Sequence, residues 1–150
     1  MSQTWRLRAR TAEAALELIR ARLLVARVPF ARWRDQLGAT ADPYPGDDNR
    51  ISEDDLAEAR RLARHVDRAA TRLPGESKCL ARAMALGRML RRRAISHTLV
   101  IAARPGAARG GDDDLHAWIE ASGLILLGNL PGPWARLLTL HSGYKGRLNA

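Results

Sequence analysis

The sequence predicts an α+β fold, with a helical first half and an antiparallel sheet behind it. Three observations carry that prediction. Apolar residues recur at helical spacing until about Arg93. The segment His97 to Ala103 (HTLVIAA) is then rich in strand-forming residues. Beyond it, Leu115 to Ala121 and Leu124 to Gly128 flank Ser122-Gly123, a two-residue turn signal. Helices grouped before strands, rather than alternating with them, are the mark of α+β architecture.

Taken in order, Leu16, Ile19, Leu23 and Ala26 recur at helical spacing from Thr11 to Val28, with arginines between them. Pro29 ends that helix or opens the next, which carries Phe30, Trp33 and Leu37 and stops at Gly38. Gly38 to Arg50 holds Pro43, Pro45, Gly46 and three aspartates, and reads as a loop. Ser52 caps a long helix whose first turn, Glu53, Asp54 and Asp55, suits the positive end of the helix dipole. Leu56, Ala59, Ala63, Val66, Ala70 and Leu73 give it an apolar stripe, and Pro74-Gly75 breaks it. A third helix runs from Cys79 to Arg93, with Leu80, Met84, Met89 and Leu90 among its buried candidates. Arg104 to Asp114 reads as a loop between strands, and the tail after Pro131, with Trp134 and LLTL, has no assigned element. The 150 residues are expected to form one domain, with N-terminal helices over 11–73 and a helix and sheet over 78–129.

Composition narrows the function classes. The chain is 46% hydrophobic and 27% charged, a globular balance. Its net charge is +9, and all but Lys78 and Lys145 of its 25 basic residues are arginine. That surplus fits either an Arg- and Ala-rich coding style or a surface that attracts acidic partners. The Arg91-Arg92-Arg93 run reads as a solvated helix end, and no stacking aromatics interleave with it, so nucleic-acid binding is disfavoured. No apolar run is long enough for a secretory signal or a membrane span, and a cytoplasmic location is expected. With one cysteine there is no disulfide framework or thiolate zinc site, and the histidines show no metal-binding spacing, so neither metal nor other cofactor is expected.

That single cysteine stands where chemistry is possible. Cys79 opens a helix, where free N–H groups and the helix dipole stabilise a thiolate and can receive the oxyanion of an attacked carbonyl. Lys78 adds positive potential beside it. The competing role is a small core residue facing Leu80 and Met84. His116 supplies a candidate base: on a strand it shares a face with Trp118 and Glu120 and can meet a helix-borne thiol, or it is a core imidazole. If Ser122-Gly123 is a two-residue turn, His116 pairs with Asn129, their Cβ atoms about 4.5–5.5 Å apart. The Asn129 amide would then orient the imidazole, as in Cys-His-Asn enzymes; its other role is that of a turn residue before Pro131. Glu120 lies a further strand step pair away, and Asp112 to Asp114 decorate the preceding loop. His65, His97 and His141 lie mid-helix, at a strand start and in the tail, as weaker candidates.

The segment KCLARAMALGRMLRRRAISHTLVIAARP, followed by LHAWIEASGLILLGN, resembles the lasso-peptide leader peptidases of the transglutaminase-like cysteine protease superfamily. The likeness covers roughly residues 78–129 and rests on Cys-Leu-x-Arg-x-x-x-Leu and, 37 residues after the cysteine, His-Ala-Trp-apolar-Glu. It implies a papain/transglutaminase-like core in which Cys79 and His116 are the first two members of a triad. At the third place the sequence has Gly128-Asn129 where the family usually carries aspartate. Asn129 can position a histidine without supplying a full negative charge. The implied activity is removal of the leader from a ribosomally made precursor peptide. The implied partners are that precursor, a separate leader-recognition protein and a lasso cyclase related to asparagine synthetases. Acyl transfer by the same superfamily chemistry, or a non-catalytic scaffold with a degenerate triad, are the alternatives.

Overall fold

A computed structural model of the chain describes residues 3–40, 50–106 and 115–143. The expected loops fall largely on 41–49 and 107–114, outside the described residues, as do Asp112 to Asp114. Helix α1 (Gln3–Arg27) is followed by the short α2 (Phe30–Trp33), a 3-10 turn (Arg34–Leu37) and a two-residue strand, β1 (Ala39–Thr40). Then come α3 (Glu53–Arg72) and α4 (Cys79–Arg92), and four strands: β2 (His97–Ala103), β3 (Leu115–Ala121), β4 (Leu124–Leu127) and β5 (Ala135–Ser142). The sheet is antiparallel throughout, in the order β1-β5-β2-β3-β4. The predicted α+β class, helices before an antiparallel sheet, is the observed one.

Local signals explain the helix limits. The Ser52 hydroxyl accepts the Asp55 N–H at 3.1 Å and closes the first turn of α3. Helix α4 buries Ala81, Ala83 through Gly87, Met89 and Leu90, an apolar girdle that makes it the central helix. One side of it meets α1 and α3; the other meets Leu99, Ala117, Ile119 and Leu127 on the sheet. Gly87 permits the close approach, since a Cβ there would sit 3.3 Å from His97 Nε2. The opposite sheet face carries a smaller cluster, Val100, Ala102 and Trp118, with Trp134 against it.

Three findings differ from the sequence reading. Helix α1 starts at Gln3 rather than Thr11, and its core side is Ala14, Glu17, Leu18 and Ala21. Leu16, Ile19 and Leu23, the residues that revealed the helix, are exposed. The Arg91–Arg93 run is not simply solvated: Arg93 pairs with Glu13 at 2.8 Å, and Arg92 bonds both Glu13 and the fully buried Glu17. Arg88 also reaches Glu17, at 3.4 Å, so these guanidinium groups tie α4 to α1. Finally, the unassigned tail contributes β5, which lies between β1 and β2.

Candidate active site

Cys79 is the first residue of α4, and Lys78, in extended conformation, is its N-cap. The Arg82 N–H makes the first intrahelical bond, to the Lys78 carbonyl at 3.1 Å. Residues 79–81 therefore have no helical carbonyl to which their N–H groups can donate. The Arg82 side chain folds back, its Nε donating to the Ser77 carbonyl at 2.9 Å, and braces the approach to the helix. Arg82 also faces Asp67 at 3.6 Å. Burial raises the Asp67 carboxyl pKa, and the Arg82 charge works against that shift.

Cys79, His116 and Asn129 line one cavity of about 280 Å³, together with Asp67, Ser77 and Arg82. Two residues that lie 37 positions apart in the chain thus line the same cavity. Cys79 is half-buried and touches the main core without being sealed in it. Ser77, whose buried hydroxyl meets no hydrogen-bond partner among the described residues, is a wall residue the sequence did not single out.

The imidazole of His116 is held differently from the sequence expectation. Ala121 pairs with Leu124 and Glu120 with Ile125, as a two-residue turn requires, but the register then shifts and Ile119 pairs with Leu127. Strand β4 ends there, so the pairing of His116 with Asn129 does not form. A bulge inserts one residue, and every later partner moves by one. The His116 Nε2 meets the Gly128 carbonyl oxygen at 2.5 Å instead. A carbonyl can only accept, so Nε2 carries a proton, and in the neutral tautomer this leaves the lone pair on Nδ1. Gly128 has φ +85, and a Cβ there would lie 2.8 Å from the Ala117 carbonyl oxygen. Only glycine fits that approach without moving the backbone that presents the acceptor.

Two tryptophans bracket the imidazole, with ring centroids 5.8 Å away for Trp118 and 5.1 Å for Trp134. Glu120 is occupied elsewhere: it accepts from Trp118 Nε1 at 2.7 Å and pairs with Arg136 at 2.6 Å. The other histidines do not line this cavity. His65 meets the Thr11 hydroxyl at 2.9 Å between α1 and α3, and His141 meets Thr98 at 3.2 Å. His97 donates Nδ1–H to the Ile95 carbonyl, and burial pushes its pKa down to about 4. Among the described residues, no group of three or more His, Cys, Asp or Glu is placed to hold a metal ion. Nor is any helix among them long and apolar enough to cross a membrane.

A half-buried cysteine at a helix start and a strand histidine thus line one cavity, and these are the two residue types that thiol-dependent acyl chemistry uses. A family model described as the Transglutaminase-like superfamily matches residues 6–142. The chain belongs to the transglutaminase-like superfamily. Members of this superfamily are usually cysteine peptidases or acyltransferases, which makes a cysteine-protease-type enzyme the general assignment. Comparison with curated proteins and with solved structures gave no match. The match reaches beyond the motif-bearing segment at both ends, taking in α1 and β5, so the transglutaminase-like unit includes the N-terminal helices.

Proposed function

We propose that this transglutaminase-like chain is a cysteine peptidase that removes the leader from a ribosomally made lasso precursor peptide. The observation that carries the reading is the shared cavity of Cys79 and His116, at the helix start and strand of the two quoted motifs. His116 Nδ1 takes the thiol proton, and the Cys79 thiolate attacks the scissile carbonyl carbon. N–H groups at the start of α4 receive the oxyanion. Collapse breaks the peptide C–N bond as imidazolium gives its proton to the leaving amine, freeing the core peptide and leaving the leader as a thioester. Water then attacks the thioester, His116 accepts its proton, and the leader carboxylate departs as the thiol is restored. Throughout, the Gly128 carbonyl holds Nε2–H and fixes the ring. Asn129 follows that acceptor in sequence and lines the same cavity, as a secondary contributor beside the Gly128 carbonyl. A separate leader-recognition protein delivers the precursor, and an asparagine-synthetase-like cyclase closes the ring afterwards.

The test is mass spectrometry of a precursor incubated with this protein and a leader-recognition protein, beside the Cys79→Ala variant. Scission at one bond, absent in the variant, supports the peptidase. A product heavier by an amine instead of water identifies an acyltransferase. Intact precursor that is still bound identifies a scaffold.

A further inference from the structure

The outer side of α1 carries a second pattern, which the core does not use. Trp5, Ala9, Ala12, Leu16, Ile19, Leu23 and Ala26 follow one another at alternating steps of four and three residues, the spacing of a coiled-coil seam. All seven are exposed, Trp5 at 58%, Leu16 at 47%, Ile19 at 42% and Leu23 at 47%. The opposite side of the same helix supplies the core residues Ala14, Leu18 and Ala21. A soluble helix needs only one apolar face to hold it in place.

The residues beside the seam are basic. Arg6, Arg20 and Arg27 follow seam positions on one flank, and Arg8 and Arg22 precede them on the other. Glu13 is the one flanking acid, and it is already engaged by Arg92 and Arg93. Next to the seam, a groove of about 430 Å³ between α1 and α3 is lined by Leu7, Ala12 and Ala15 and by Arg8, Arg68 and Arg72. Apolar surface at helical period, bordered by arginine on both sides, recognises a helix with apolar seam residues and acidic flanks.

We infer that the outer face of α1 is a docking surface for an acidic amphipathic helix of a partner protein. A second copy of this chain is a poor occupant, because the flanks would set arginine against arginine. An anionic membrane is also a poor fit: three of the seven seam residues are alanine, and an interfacial helix needs a broad, bulky apolar face. The 4/3-spaced seam, with Leu16, Ile19 and Leu23 at its centre and Ala9, Ala12 and Ala26 at its ends, is narrow and suits a single partner helix. The inference rests on none of the catalytic assignments.

The probe is a synthetic peptide of about four heptads, with Leu and Ile at seam positions and Glu on both flanks. A peptide with Lys in place of Glu, and vesicles of phosphatidylglycerol and phosphatidylcholine, are run alongside. Calorimetry should show the Glu peptide binding at least about tenfold more tightly than the Lys peptide, with affinity falling as salt rises. The double variant Leu16→Gln/Ile19→Gln should lose about tenfold or more while Cys79 alkylates at the unchanged rate, which reports an intact fold. Trp5→Ala, which truncates a 58% exposed side chain near the start of α1, gives a second reading with little effect on the core. Equal binding by wild type and both variants would overturn the inference. So would vesicle binding with no preference for the Glu peptide, which assigns the face to lipid, or a wild-type dimer lost in the variants, which assigns it to a second copy.

Discussion

At His116 the decisive contact is with a backbone atom. The Gly128 carbonyl accepts Nε2–H, and a side chain at position 128 would press on the Ala117 carbonyl. Gly128→Ala should therefore shift the acceptor and lower kcat for precursor cleavage by about 100-fold, the scale of a 1 Å misplacement. Asn129→Ala leaves that carbonyl in place and should cost less than about tenfold in kcat. An Asn129→Ala loss as deep as that of His116→Ala, measured in the same assay, would return the orienting role to the amide. Cys79 and His116 were legible in the sequence because their motifs are made of side chains. The Gly128 acceptor was not, because a carbonyl has no letter of its own. The unbroken apolar run Leu124–Leu127 also has no alternation to fix its register, so the bulge beyond Glu120 left no sequence signal.

Among the elements, α4 was the most legible, since its start at Cys79 and its apolar girdle both follow from residue order. Helix α1 was legible as a helix and misleading as to its face. Its larger apolar residues point outward, while two alanines, Leu18 and the buried acid Glu17 point in. Glu17 is bonded by Arg20, Arg88 and Arg92, which turns a polar residue into the link between α1 and α4. Glu17→Ala removes that link and opens a cavity, and should cost about 2–4 kcal/mol of unfolding free energy. Arg20, half exposed, should cost less than about 1 kcal/mol on truncation. Denaturant titration of the two variants checks both figures; equal costs would contradict the ranking. Strand β5 escaped the sequence reading for a similar reason. A register shift opposite Ile101/Ala102 leaves Leu137 out of the ladder and 62% exposed, so adjacent leucines break the alternation that marks a strand.

For the whole molecule, buried imidazoles and paired carboxylates set the same direction of pH dependence. Burial pushes the His97 pKa down to about 4, from an ordinary value of 6.5. Between those values the unfolded chain binds the extra proton, so stability falls as pH drops from about 6.5 towards 4, by up to about 3 kcal/mol from this group. Burial depresses His65 and His141 in the same sense. A hydrogen bond from Arg93 holds Glu13 below its ordinary carboxylate value, and at Glu58 the pull of Arg61 and Arg10 outweighs burial. Both carboxylates therefore stabilise above the ordinary carboxylate value and lose that contribution at lower pH. Thermal unfolding across pH 4 to 7 should show a steep acid-side loss, flattened in His97→Gln. An unchanged slope in that variant would assign the loss to other groups. The α+β order was legible at this scale because helix and strand periods differ so plainly along the chain.

The proposed peptidase mechanism requires that His116 activate Cys79. As the chain holds one cysteine, intact-mass measurement of iodoacetamide alkylation at pH 7 follows that thiol alone. Rapid single alkylation of the wild type is expected, with a rate at least about tenfold lower in His116→Ala. Equal rates in the two proteins would mean that the histidine does not act on the thiol, and would contradict the peptidase mechanism.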